Sequence, residues 1–221
     1  MEKARKKVKE ILPSVDVVIE VLDARCPHSS TNPMIEKLRG DKPYLKVLTK
    51  TDLADPQITD TWQSNLSQAL NTEVLPITTL NTKLALTIPD RVCAMSRHQA
   101  VNIRPVAALI MGVPNVGKST LINTLVGRKA AGVGNEPAVT KAQQKYRVNA
   151  QLTLIDSPGM TWPGSKDEMI NYRLAASGAI RDTAIEYDDL GLFTVDYLLQ
   201  RYPEALAKQY QLGDLPELSL I

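Results

Sequence analysis

The sequence is short of cysteine, of net charge and of long apolar runs, and each shortage closes off a class of protein. Its two cysteines, Cys26 and Cys93, can build neither a disulfide framework nor a metal site of closely spaced ligands, which fits a reducing cytoplasm. No apolar run reaches the roughly 18 residues of a membrane helix. The N-terminus is basic but has no apolar segment behind it, so it lacks the pattern of a signal peptide. Internal repeats and low-complexity tracts are missing too. A net charge of +2 over 221 residues names no partner. What remains is 43% apolar and 23% charged, enough to bury a real core, at a length that suits one α/β domain and a smaller appendage. The charge is unevenly placed. Lys3, Arg5, Lys6, Lys7 and Lys9 crowd the start, whereas Asp182, Glu186, Asp188, Asp189, Asp196, Glu204, Asp214 and Glu217 outweigh the basic residues near the end. A basic end of this kind suits nucleic-acid contact or a solvated helix face equally well.

The apolar pattern alternates between two periods. Residues 2–12 carry Val8, Ile11 and Leu12 on one helical stripe. Val15–Leu22, Tyr44–Leu48, Val74–Ile77 and Val106–Met111 are short runs of the kind found in buried parallel strands. Between them, Asn32-Pro33 and Asp55-Pro56 read as helix starts, Gly40 as a stop, and residues 84–99 as a helix with Pro89 near its first turns. A helix is expected over Lys118–Val126, and residues 143–148 and 151–155 read as two strands joined tightly at Asn149. The expected fold is α/β, with a doubly wound, mostly parallel sheet and one antiparallel edge pair. Residues 166–211 carry helical periodicity only and read as a small C-terminal helical domain. The expected boundaries are 1–164 for the sheet domain, with halves 1–100 and 101–164, and 165–221 for the helical one.

Gly112-Val113-Pro114-Asn115-Val116-Gly117-Lys118-Ser119 fits G-x-x-x-x-G-K-[ST], with Thr120 next, between an apolar strand and a helix. Glycines let several backbone N–H groups converge on a phosphate, and the helix N-terminus adds positive potential. In that role Lys118 reaches the β- and γ-phosphates and Ser119 offers its hydroxyl to Mg²⁺. Asp156-Ser157-Pro158-Gly159 ends the next apolar strand, 44 positions after Gly112 up to Asp156. There Asp156 is placed to hold Mg²⁺ through water, and Gly159 can bring its N–H to a γ-phosphate. Thr140, in the polar segment between them, is the candidate for a second Mg²⁺ hydroxyl on a switch loop; the alternative is an ordinary loop threonine.

Thr49-Lys50-Thr51-Asp52 ends a strand in the manner of the N-K-x-D base reader. Asp52 can accept both guanine protons, and adenine offers no matching pair. Lys50 can lay its stem over the base. Thr49 stands where asparagine is usual, which removes one or two hydrogen bonds worth about 0.5–1.5 kcal/mol each. Alone, such a tetrapeptide also serves as a helix-capping turn. The following strand, however, runs into Thr78-Thr79-Leu80, where a backbone N–H can meet guanine O6. The order of parts is therefore base reader, base loop, phosphate loop, Thr140 and D-x-x-G. This is a circular permutation of the usual order, which closes the same domain if the old termini are joined.

That order resembles the circularly permuted GTPases of large-ribosomal-subunit assembly, the YlqF/RbgA type. The resemblance also rests on Asp23-Ala24-Arg25, Asn32-Pro33-Met34-Ile35 and Trp162-Pro163. It continues through Leu174-Ala175-Ala176-Ser177-Gly178-Ala179-Ile180 to Arg201-Tyr202-Pro203-Glu204. It implies GTP hydrolysis to GDP, Mg²⁺, and binding to immature large subunits through rRNA. The basic first helix and the helical tail are the expected contacts, and a monomer is expected. Asn115 matches the position that supports a potassium ion in related GTPases; a role in shaping the loop is equally open. Met160 stands where other GTPases carry a water-orienting glutamine, as in the family. The family's candidate catalytic histidine precedes its first helix; neither His28 nor His98 matches that position, and its helical domain is expected to extend further. Two competing readings stay open, a nucleotide-gated ribosome-binding module with negligible hydrolysis and an ATP-using P-loop enzyme.

Overall fold

The computed structural model of the chain describes residues 2–78, 80–96, 104–131, 144–156, 167–180 and 185–212. Six strands form one sheet in the order β3-β2-β1-β4-β6-β5, where β1 is Val17–Asp23, β2 Tyr44–Thr49, β3 Thr72–Pro76, β4 Val106–Gly112, β5 Gln144–Arg147 and β6 Leu152–Asp156. The first five in that order run parallel, and β5 closes one edge antiparallel to β6. Every residue of β1 and β2 is buried. This explains why their sequences run apolar without alternation: both faces are covered.

On one face lie α5 (Ile88–Met95), α6 (Lys118–Val126) and α7 (Glu168–Ala176). Ile88, Val92, Leu121, Ile122, Leu125 and Leu174 meet Val17, Ile19, Val21, Leu45, Val47, Ile110, Leu152 and Leu154 there. On the other face, Val8 of α1 (Glu2–Ile11) and Ile35 of α3 (Pro33–Leu38) share a cluster with Val18, Tyr44, Leu109, Met111 and Ile155. Leu66 of α4 (Pro56–Leu66) packs against Leu22, Leu48 and Val74. Each fully buried aliphatic side chain contributes about 1.5–3 kcal/mol, and with a single phenylalanine in the chain this core is almost wholly aliphatic.

Local chemistry sets most boundaries. Asn32 accepts from Met34 N and starts α3; Asp55 accepts from Gln57 N and Ile58 N and starts α4. Gly40 takes a left-handed φ of 58° after α3. Three details depart from the sequence reading. β1 starts at Val17 because Leu12–Ser14 makes a 3₁₀ turn that Val15 N closes on Leu12 O. The helix expected over 84–99 is a 3₁₀ turn, Ala85–Thr87, followed by α5, whose Pro89 sits in the first turn. A short helix, α2 (Pro27–Ser30), occupies the loop after Asp23 and is tied back to it, since Asp23 N donates to Ser30 Oγ. The last helices, α8 (Tyr187–Arg201) and α9 (Pro203–Tyr210), follow the strandless pattern of the tail.

Candidate functional site

The strand ends Asp23, Thr49, Gly112 and Asp156 all lie at the carboxyl end of the parallel strands, where open α/β sheets bind ligands. The phosphate loop leaves β4 at Gly112. A Cβ there would lie 2.6 Å from the Val21 carbonyl oxygen, so only glycine lets β4 and β1 approach this closely. Asn115 and Gly117 both take left-handed backbone, with φ of 56° and 99°, which curls the loop into the start of α6. Lys118 is buried and its Nζ pairs with Asp156 Oδ1. The second carboxylate oxygen of Asp156, Oδ2, is buried with no hydrogen-bond partner among the described residues. Burial raises the Asp156 pKa, with Lys118 pulling the other way. A buried carboxylate with one oxygen unsatisfied is a suitable cation ligand, and Ser119 stands on the first turn of α6 beside Lys118. Pro114 and Thr120 are partly buried in the loop and the first turn.

The base-reading segment is made of side chains. Asp52 is exposed, and its Oδ1 accepts from Thr78 Oγ1 at 2.5 Å, so the residues assigned to guanine are brought together. Thr51 fixes this loop by donating from Oγ1 to Ile77 O. Thr49 has Leu22 O and Val116 O within reach of its hydroxyl, so it links β2, β1 and the phosphate loop. Its side chain also packs 3.7 Å from where a Gly117 Cβ would stand. Lys50 takes left-handed backbone, with φ of 60°. Its Nζ donates to Asp23 Oδ2 at 2.9 Å and to Asn115 O at 2.8 Å.

The carboxyl end of α7 meets the same region. Gly178, with φ of 76°, ends the helix; Gly178 N donates to Ala175 O and Ala179 N to Leu174 O. This turn presents two carbonyls to the site. Arg25 Nη2 donates to Ser177 O at 3.1 Å, and Asn115 Nδ2 donates to Gly178 O at 2.8 Å. Farther along, Tyr202 donates to Asp55 Oδ2 at 3.3 Å, beside the base loop.

The structure thus brings Thr49, Lys50, Thr51, Asp52, Thr78, Asn115, Val116, Gly117, Lys118, Ser119 and Asp156 to one end of the sheet. Thr79, Thr140 and Gly159 lie outside the described residues, as does His98. Asp23, Arg25 and the Ser177–Gly178 turn were not singled out from the sequence as site residues. The available signal was an aspartate at a central strand end with an arginine two positions on. Its partners lie far along the chain, and Arg25 and Ser177 are 152 positions apart.

A phosphate loop at a strand-to-helix junction, with an aspartate-bearing base reader two strands away in the sheet, defines a P-loop GTPase whose base-reading half comes first in the chain. Residues 107–217 match the 50S ribosome-binding GTPase family. Ribosome biogenesis GTPase A of Bacillus pumilus is 40% identical, covering 98% of this chain and 79% of its own length. The mouse mitochondrial ribosome-associated GTPase 1 is 34% identical over 90% of this chain and 64% of its own. The solved structure of GNP-bound YlqF from T. maritima aligns with a TM-score of 0.62 at 23% identity, covering 97% of this chain and 78% of that one. At that identity the likeness speaks for the fold. The chain belongs to the ribosome biogenesis GTPase A family.

Proposed function

We propose that the chain hydrolyses GTP to GDP and phosphate and uses that cycle in a late step of large-subunit (50S) assembly. The observation that carries the reading is the convergence of Asp52 and Thr78 with Lys118 and Asp156 at one sheet end. In this mechanism Asp52 accepts the guanine N–H groups, and backbone N–H groups of residues 115–120 surround the phosphates. Lys118 moves its charge toward the β- and γ-phosphates. Asp156, with its unsatisfied buried oxygen, and the hydroxyls of Ser119 and Thr140 would hold Mg²⁺. The ion would supply neutralisation of phosphate charge. Gly159 would offer its N–H to the γ-phosphate, and Thr79 its N–H to guanine O6. Asn115, in left-handed backbone in the phosphate loop, carries a side-chain amide oxygen, a group of the kind a potassium ion takes. An Asn115→Asp variant should lose K⁺ stimulation; unchanged K⁺ dependence overturns that role.

The tail is the output. We expect γ-phosphate loss to release the switch segments and shift the helical tail, which meets the phosphate loop where Asn115 donates to Gly178 O. GTP favours ribosome binding and GDP favours release. Division of labour follows the boundaries 1–164 for the G domain, in halves 1–100 and 101–164, and 165–221 for the helical domain. Lys6 and Lys9, exposed on α1, together with Lys3, Arg5 and Lys7, supply phosphate contacts to rRNA on a precursor of the large subunit. Affinity for that particle should fall steeply with salt; a flat dependence refutes the contact. Among the described residues no helix is long and apolar enough to cross a membrane; we read the chain as a monomer working in the cytoplasm.

The test is titration with fluorescent GDP and ADP in Mg²⁺ and K⁺, with Asp52→Ala as control, followed by turnover with and without ribosomal particles. Tight GDP binding lost in the variant and absent for ADP supports the guanine site; equal binding of both nucleotides returns the chain to an ATP-using reading. A second reading, a nucleotide-gated binding module with negligible hydrolysis, is favoured by Met160, an apolar residue that cannot orient water. Turnover that stays negligible with particles present decides for it.

A further inference from the structure

Among the described residues Asp23 is a densely bonded carboxylate beside the site, and its backbone lies in register with Thr49 of the base reader. It ends the central strand β1, opposite Thr49 of β2 and two residues beyond Val21, which pairs with Gly112 of β4. It is 2% exposed. Its Oδ1 accepts from Arg25 N at 3.0 Å and Arg25 Nε at 2.9 Å; its Oδ2 accepts from Arg25 Nη2 at 2.7 Å and Lys50 Nζ at 2.9 Å. Burial alone would raise its pKa, but these donors hold it below the usual carboxylate range, so it stays charged. Lys50 in turn donates to Asn115 O in the phosphate loop.

We propose that Asp23 is a positioning residue of the guanine-nucleotide site, holding the Lys50 ammonium against the phosphate loop and thereby fixing the spacing between the base-reading and phosphate-binding segments. It rests on the guanine reading given above. A lysine has four rotatable bonds, and unanchored it must be ordered each time nucleotide binds. The backbone of Lys50 is left-handed, an unfavourable conformation for a residue with a Cβ, so its placement needs support from the side chain. Asp23 Oδ2 and Asn115 O supply that support together, and the lysine stem is then preformed for stacking on a base. Arg25 completes the arrangement by donating to Oδ1 from N and Nε and by sharing Oδ2 with Lys50 through Nη2, and it orients the carboxylate as a fork.

The test is a double-mutant cycle on GDP affinity in the full chain, read by fluorescent GDP titration, with Asp23→Asn and Lys50→Met. Asparagine keeps the shape but not the charge. Asp23→Asn should raise Kd for GDP roughly tenfold. In the Lys50→Met background the same change should add less than about twofold, because its route of action is gone. A Kd unchanged by Asp23→Asn in a folded protein overturns the proposal. So does an effect that persists undiminished with Lys50→Met, the signature of a merely structural role. If Asp23→Asn does not fold, the cycle is run with Asp23→Glu, which keeps the charge and lengthens the arm; independence from Lys50 overturns the proposal in the same way. Failure of the guanine reading itself is distinct: the unmodified chain would then bind GDP no better than ADP.

Discussion

The two halves of the G domain hold their parts in different ways. In the base-reading half, the polar interior is a web of side chains that includes Glu20, Asp23, Asn32, Arg39, Lys46 and Thr49, all buried. Glu20 alone accepts from Asn32 N at 2.7 Å and Tyr44 Oη at 2.6 Å, with Lys46 Nζ 3.9 Å away. In the phosphate-binding half, the buried charged or polar side chains described are Lys118 and Asp156, one pair. The rest of its work falls to backbone: a glycine pressed against Val21 O and two left-handed residues. A site built on backbone tolerates little change of sequence, because glycine has no substitute there. A site built on side chains can exchange one donor for another, as Thr49 does by using its hydroxyl to reach Val116 O.

The contrast can be broken experimentally, and the largest effect belongs to the single pair. Lys118→Met leaves the buried Asp156 carboxylate without its partner and should cost about 3–5 kcal/mol of nucleotide-free stability by urea unfolding; a loss below about 1 kcal/mol would show that Asp156 simply protonates. Next comes Asp52→Ala. Its carboxylate is exposed, so stability should hold within about 0.5 kcal/mol, while GDP affinity falls about hundredfold, or about 2.7 kcal/mol, in fluorescence titration.

The buried web should show itself in pH dependence. Burial, opposed by Lys46 and Tyr44, raises the Glu20 pKa from 4.5 to about 7. The folded state therefore keeps a proton that the unfolded chain releases. The stability from this group is full below about pH 4.5 and falls as pH rises to about 7, with a slope of at most about 1.4 kcal/mol per pH unit. Glu20→Gln should flatten that slope in denaturation curves taken at several pH values; an unaltered slope places the titration elsewhere. Smallest is Thr49→Val, which removes the hydroxyl reaching Leu22 O and Val116 O and should cost about 1 kcal/mol. If the loss appears in stability but not in GDP affinity, the threonine ties strands together without shaping the phosphate loop.

The same contrast explains what could be read beforehand. The strands announced themselves as apolar runs because both faces of β1 and β2 are covered. The phosphate loop was legible because backbone recognition demands glycine at fixed spacing. The caps Asn32 and Asp55 were legible because their partners lie two or three residues away. The α2 turn after Asp23 was not, since a four-residue helix has too little sequence to carry a period. Nor were the contacts of Arg25 with Ser177, Asn115 with Gly178, or Tyr202 with Asp55. These depend on how distant elements meet, and nothing in the local sequence around a backbone carbonyl marks it as a partner.

The strand order has a consequence for how the chain comes to be folded. Because β1 precedes the other described strands in the chain yet lies inside the sheet, with β2 and β3 on one side and β4, β6 and β5 on the other, the sheet can be built outward from it. As it emerges during synthesis, β1, β2 and β3 can pair while β4 has yet to appear. Until then the edge of β1 that β4 will occupy, buried in the finished molecule, stands open with unpaired N–H and C=O groups, a template for any other extended chain nearby. Closure waits for Val106–Gly112, so the same residues that lead into the phosphate loop also end the nascent chain's most vulnerable interval.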